Sequence, residues 1–282
     1  MKWQEILALW WQQQQRFLPE LRAQAKRYGH IEDASSLPQR VLEQSAPIFV
    51  LSTGRAGTQY LTNLFGELPG FHAEHEPQPE LLYTSRWAYE HRSQSNLLEA
   101  AFLAARYELL RNAYLANQRY VETNNRLSFL AAGIAQCLPN AKFIHLVRHP
   151  EAFVRSGLQR RWYSNDHLTD EGRLQVPHAL QDAQAEEKIA WLWNETNTQI
   201  AAFGDSIGSK RFLELQSEQL FKEIEVNKVL FTFLESAYPG EAFIRQQQAQ
   251  PKNKSRKNPE KLVLSGRWKA HVPFAESRGY QL

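Results

Sequence analysis

One cysteine and one methionine stand among 282 residues, and neither sign of charge dominates: 33 Lys and Arg face 30 Asp and Glu, a formal net charge of +3. The single Cys137 excludes an internal disulfide framework and suits a reducing compartment. It closes a helical pattern just before Leu138-Pro139, which reads as packing, since free cysteines are mostly buried. The near-balanced charge offers no general surface for nucleic acid. Long apolar runs are missing too. No stretch approaches the roughly 20 residues of a membrane span, and the first residues lack the basic end and apolar core of a signal peptide. The address expected from these absences is the cytoplasm. Hydrophobic residues make up 43% and charged ones 22%, which fits a soluble globular enzyme, and the length favours one large α/β domain over two small ones.

What the chain does carry is concentrated in residues 48–60, Ile-Phe-Val-Leu-Ser-Thr-Gly-Arg-Ala-Gly-Thr-Gln-Tyr. Ile48 to Leu51 reads as a short buried strand. A tight turn with Gly54 and Gly57 follows, then a helical pattern of Tyr60, Leu61, Leu64 and Phe65. Strand, glycine turn and helix together build an anion cradle. Glycines let backbone amides close around phosphate-like oxygens, and the helix start adds unpaired N–H groups and a positive dipole end. A nucleotide-triphosphatase loop would place Lys and then Ser or Thr after its second glycine. Here Thr58 and Gln59 follow Gly57, and the cation, Arg55, sits inside the turn. The alternative is an ordinary strand-to-helix turn with a solvent-facing arginine.

A second constellation adds weight to the cradle. Lys142 to Val147 forms another apolar strand with Arg148 at its end. Pro150 suits the first turn of a helix, and Ser156 lies about two turns along it. An arginine at a strand tip and a hydroxyl on the next helix can grip a second phosphate, because the guanidinium fork donates paired hydrogen bonds to phosphate oxygens.

With both motifs in view, the sequence resembles the sulfotransferases that use 3′-phosphoadenosine 5′-phosphosulfate (PAPS). Thr53-Gly54-Arg55-Ala56-Gly57-Thr58 looks like their 5′-phosphosulfate loop in its arginine form. Leu146-Val147-Arg148-His149-Pro150 with Ser156 looks like their 3′-phosphate motif. Leu138 to His145 is similar to the run into that strand. Phe212 to Leu215 leading to Glu218-Gln219-Leu220 resembles the family's strand and Glu-x-Leu turn, and Phe233-Leu234-Glu235 and Gly266-Arg267-Trp268-Lys269 resemble its later elements. The likeness covers about Ile48 to Lys269. Two departures stand out: His149 occupies a position where the family often has an acid, and the Arg-Lys-Gly tripeptide of the cytosolic branch has no clean match, with Lys254-Ser255-Arg256-Lys257 as its candidate.

The resemblance implies a metal-independent transfer of a sulfuryl group from PAPS to a hydroxyl or amine, with PAP as product. It implies that Gly54, Arg55, Ala56, Gly57, Thr58, Gln59, Arg148 and Ser156 bind the donor, with Arg256 and Lys257 in a basic flap. Arg55 is placed on the leaving group. Glu76, in a crowded strand end with His72, Glu74 and His75, resembles the catalytic glutamate of the protein-tyrosine branch and is the expected general base, with His75 as second choice. A solvated surface turn is the plain alternative. Metal binding by His72 and His75 is disfavoured, because residues three apart on a strand point to opposite faces. Asn124 either orients a ligand or caps the next element. Arg86, Trp87, Arg92, Trp162 and Tyr163 are candidates for the acceptor side.

The expected architecture is a three-layer α/β/α domain over residues 46–282, P-loop-like, with a mainly parallel sheet from alternating strands and helices. An N-terminal helical extension over 1–45 precedes it. In that extension the residues 1–28 carry Trp3, Leu7, Trp10, Phe17 and Leu21 near one stripe, for packing on the domain or on a second copy as a homodimer. Strands are expected at 70–77, 120–123 and 211–215, and helices at 95–117, 126–138, 178–203 and 220–236. The acceptor (carbohydrate, lipid, peptide or small molecule) is not readable. A P-loop-type small-molecule kinase and a non-catalytic nucleotide-binding protein remain as alternatives.

Overall fold

The computed structural model describes residues 34–164, 172–250 and 263–282. The helix expected over 1–28, together with Lys254, Arg256 and Lys257, lies outside them.

Ile48–Leu51 (β1) is apolar on both faces, and all four residues are buried. Such a strand belongs in the middle of a parallel sheet covered on two sides. It lies there: β2 (Phe71–His75), β3 (Arg119–Thr123), β1, β4 (Lys142–Val147) and β5 (Phe212–Gln216) stand side by side in the order β2-β3-β1-β4-β5. Every adjacent pair is parallel, with Ile48 opposite both Val121 and Lys142. The expected α/β sheet with flanking helices is therefore present.

The helices are α1 (Leu37–Gln44) before β1, α2 (Thr58–Gly66), α3 (Leu82–Glu90), α4 (Ser95–Leu115), α5 (Ala131–Cys137), α6 (Pro150–Leu158) and α7 (Ala185–Ile207) between the strands, and α8 (Ser217–Leu220), α9 (Ile224–Phe233), α10 (Glu241–Ala249) and α11 (Pro273–Ser277) after β5. Alternation along β1 divides the core between them. Phe49 and Leu51 pack with Phe102, Leu110 and Ile134 on one face, in a cluster that also takes in Leu37 and Val41 of α1. Ile48 and Val50 pack with Leu61, Leu64, Phe65 and Phe231 on the other. A third cluster, Phe153, Trp193, Trp268 and Phe274, ties α6 and α7 to the C-terminal turns.

Three helical expectations need correction. Residues 126–138 are not one helix. Asn125–Leu127 is a 3-10 turn, because the Asn124 side chain accepts the Arg126 N–H and closes the chain tightly there; α5 starts only at Ala131. The helix expected from 178 begins at Ala185, where Gln184 and Glu187 form a reciprocal capping box. The helix expected from Leu220 begins at Ile224, after the short α8.

Parallel strands bring all their carboxyl ends to one edge, where ligands bind in open α/β sheets. Thus Ser52, His75, Asn124 and Arg148 arrive together although the chain separates them widely.

Candidate active site

The loop after β1 has an unusual backbone. Gly54 (φ 78°), Arg55 (φ 55°) and Gly57 (φ 85°) all adopt left-handed conformations. At Gly57, a Cβ would lie 2.3 Å from the Phe221 ring, so the position has neither the torsion nor the space for a side chain. Gly57 is the N-cap of α2, whose first turn faces the cavity with Thr58 and Gln59. The Gly54 N–H donates to Ser52 Oγ (3.0 Å), and Ser128 Oγ donates to the Ser52 carbonyl (3.0 Å). These bonds fix how the loop leaves the strand.

Arg148 stands at the tip of β4, next to β1, and its Nη1 donates to the Arg55 carbonyl at 2.6 Å. His149 caps α6 with its side chain and Pro150 begins the helix. Ser156, buried two turns along, accepts from Arg55 Nε (3.3 Å) and from Arg160 Nη1 (3.0 Å). The two motifs therefore meet. Ser156 lies beneath the guanidinium groups rather than in the cavity lining, and two accepted bonds still leave its own O–H as a donor.

Three guanidiniums, of Arg55, Arg148 and Arg160, thus crowd one another, and the hydrogen bonds described for them go to neutral oxygens. Burial pushes the pKa of Arg148 down, an effect opposed by Glu218 and reinforced by Arg55. Burial also lowers that of Arg160, with Arg55 and Arg148 adding to it. Clustered like charges taken from water are costly, and arginine does not escape by losing its proton. A multiply charged anion bound among them would offset that cost.

Sequence reasoning missed the residue that joins the tips. Ser217 Oγ lies 2.7 Å from the Ala56 carbonyl and 2.9 Å from the Val147 carbonyl, its one proton shared between them, and so bridges the glycine loop and β4 from 161 and 70 residues away. Beside it, Glu218 accepts the His149 N–H at 3.0 Å and steadies the turn behind Arg148. The Glu-x-Leu resemblance marked this turn, but nothing local marked the serine.

Across the cavity, Glu76 follows β2 with φ 46°, a left-handed residue whose N–H donates to Thr123 O (3.2 Å). Its carboxylate lies 3.9 Å from Arg126 Nη1, a cation the sequence reading also missed. The turn is supported from below by Arg106, which donates to Pro77 O (3.1 Å) and Pro79 O (3.0 Å) while pairing with the buried Glu122 at 2.8 Å. Glu122 also accepts from Tyr120 and Asn124. Burial pushes the Glu122 carboxyl up, and these donors work against that shift. Asn124 is therefore a cap and a core partner. His75 Nδ1 lies 2.8 Å from Thr123 Oγ1 and 3.1 Å from Thr123 O, contacts that hold the ring against the tip of β3.

One cavity of about 760 Å³ separates the phosphate loop from the Glu76 turn. Gly54 to Gln59, Arg148, His75 and Glu76 border it, with Arg160, Phe129 and Trp162. Of the residues suggested for the acceptor side, Trp162 is in the lining; Arg86 pairs with Glu90, Trp87 stacks on His91, and Tyr163 donates to Leu174 O. Cys137 is buried and its thiol is pushed up to about 12, as expected for a packing residue. No cluster of three or more His, Cys, Asp or Glu able to hold a metal occurs among the described residues, and none of their helices is long and apolar enough to cross a membrane.

Comparison with known proteins gives concordant results. No curated protein matches. Among solved structures, the sulfotransferase domain of the Synechococcus PCC 7002 olefin synthase superposes with a TM-score of 0.52 at 18% identity, covering 85% of this chain and 97% of that one. The sulfotransferase domain from the curacin biosynthetic pathway gives 0.52 at 18% identity, covering 73% and 78%. Both share the fold. The sequence profile of the sulfotransferase family matches residues 47–229, which run from the first strand through the second phosphate motif into α9. The chain belongs to the sulfotransferase family.

Proposed function

We propose that this protein transfers a sulfuryl group from PAPS to a hydroxyl or amine acceptor. The observation that carries the reading is the meeting of two strand tips, where Arg148 bonds the Arg55 backbone and Arg55 and Arg160 share Ser156. A ligand with phosphates at both ends of a short nucleoside suits that arrangement, and PAPS supplies the activated sulfuryl group. The loop amides of residues 54–58 and the α2 start hold the 5′ end, with Arg55 stabilising the departing phosphate oxygen. Arg148 holds the 3′-phosphate, Ser156 positions Arg55 and Arg160 beside it, and Arg256 and Lys257 are further candidate ligands. Glu76 accepts the acceptor's proton, with Arg126 Nη1 3.9 Å from its carboxylate, and His75 is the second candidate. As the acceptor oxygen or nitrogen bonds to sulfur, the bond from sulfur to the 5′-phosphate breaks, and PAP leaves with that electron pair.

The direct test is titration calorimetry with PAP in EDTA, beside Mg²⁺-ATP. One-to-one PAP binding without metal, accompanied by acceptor-dependent release of PAP from PAPS, is the expected result. Mg²⁺-dependent ATP turnover would make it a kinase, and PAP binding with no transfer to any acceptor a binding protein.

A further inference from the structure

Away from the phosphate loop, the cavity follows one face of α2. Gln59, Asn63 and Glu67 recur every fourth residue, and Gln59 Nε2 bonds Asn63 Oδ1 at 3.2 Å. From Gln59 to Glu67 the stripe spans about 12 Å at the helical rise, room for a ribose and a base beyond a phosphate held at the α2 start. At the far end Glu67 gathers two amides. Its Oε2 accepts Gln247 Nε2 at 2.6 Å and its Oε1 accepts Gln250 Nε2 at 3.3 Å. Both glutamines line the cavity, as does Phe221.

The consequence is directional. With both amide NH2 groups drawn to a carboxylate, the carbonyl oxygens are the groups left to face elsewhere. Gln247 is 2% exposed, and its Oε1 is a buried acceptor without a hydrogen-bond partner among the described residues. An unsatisfied buried carbonyl is expensive, and native structures rarely keep one without a purpose. Rotating the amide would not relieve it, because NH2 would be lost to Glu67 and two oxygens would meet.

We infer that Gln247, oriented by Glu67, is a specificity-determining residue that accepts an N–H from the exocyclic amino group of the nucleotide's base. The inference rests on the nucleotide reading above and deepens it: the base is one bearing an amino donor, as adenine does, with the Phe221 ring beside it. Hypoxanthine, which carries a carbonyl in place of that amino group, would set oxygen against oxygen.

The test measures three ligands by calorimetry on the wild type and Gln247→Leu: PAP, its inosine counterpart and ribose 3,5-bisphosphate, which has no base. The wild type should bind PAP at least about 10-fold more tightly than the inosine compound, as expected when a buried acceptor loses its donor. In Gln247→Leu, PAP should weaken about 10-fold, the preference should shrink to about 2-fold or less, and ribose bisphosphate should bind unchanged. Unchanged discrimination in the variant overturns the inference. Should the variant not fold, equal wild-type affinity for PAP and the inosine compound overturns it equally well. Ribose bisphosphate binding with no base discrimination would leave the phosphate site standing and remove only this assignment; failure of all three ligands to bind would remove both.

Discussion

Gly57→Ala should cripple the protein twice over, and the structure gives the size of each effect. At φ 85° an alanine is strained by about 1–2 kcal/mol, the ordinary cost of a left-handed residue with a Cβ. The new Cβ would also lie 2.3 Å from Phe221 Cζ and 2.7 Å from Cε2. Phe221 cannot simply swing away, since its ring packs edge-on against Tyr60 at 5.2 Å and its N–H is held by Ser217 O at 3.1 Å. Overpacking of this kind costs about 1–3 kcal/mol. The total, about 2–5 kcal/mol, corresponds to a melting-point loss of roughly 3–8 °C for a chain of this size. Denaturant unfolding of Gly57→Ala, Phe221→Ala and the double variant separates the two effects. Removing the ring should relieve the clash but not the torsion, so the double variant should be more stable than the sum of the singles by about 1–3 kcal/mol. Additivity within about 0.5 kcal/mol would refute the argument that Phe221 and the glycine loop are packed against each other.

Other expectations concern the rest of the site. Glu76→Gln should reduce turnover by about 100-fold with PAP affinity retained, measured by initial rates and calorimetry; a weakened PAP affinity would assign Glu76 to binding. Arg106→Ala leaves Glu122 buried without its cation and should destabilise by about 3–5 kcal/mol, read from urea midpoints; a loss below about 1 kcal/mol would contradict the pairing. Burial raises the Glu214 carboxyl, yet hydrogen bonds from His145 and Arg278 outweigh it and hold the group below its ordinary 4.5. A depressed folded value means that the stabilisation is complete above 4.5 and lost as pH falls through the folded value. Glu214→Gln should therefore be less stable than the wild type at neutral pH, with the difference shrinking in acid; a constant difference would contradict it.

Legibility in the sequence followed the distance over which each signal acts. The glycine loop and the Arg148 tip were readable because strand, turn and helix start lie within a dozen residues, each with its own chemistry. The parallel sheet followed from the alternation of apolar strands and helical patterns. Helix starts at 131, 185 and 224 were misplaced because capping by Asn124 and Gln184, and the insertion of α8, override an apolar periodicity that runs on past them. Ser217, Phe221 and Gln247 were invisible as site residues, since their roles depend on partners more than 160 residues away. Arg126 was missed for a related reason: it reaches Glu76 only once β2 and β3 are paired.

The claim that two strand tips hold one bisphosphate is tested most directly by a binding cycle between Arg148 and the 3′-phosphate. PAP and 5′-AMP are titrated into the wild type and Arg148→Met, with melting curves confirming that both fold. Removing either the guanidinium or the phosphate should weaken binding about 100-fold, and removing both should cost little more than removing one. Losses that multiply would show that Arg148 does not meet the 3′-phosphate, and the shared-ligand account would fail.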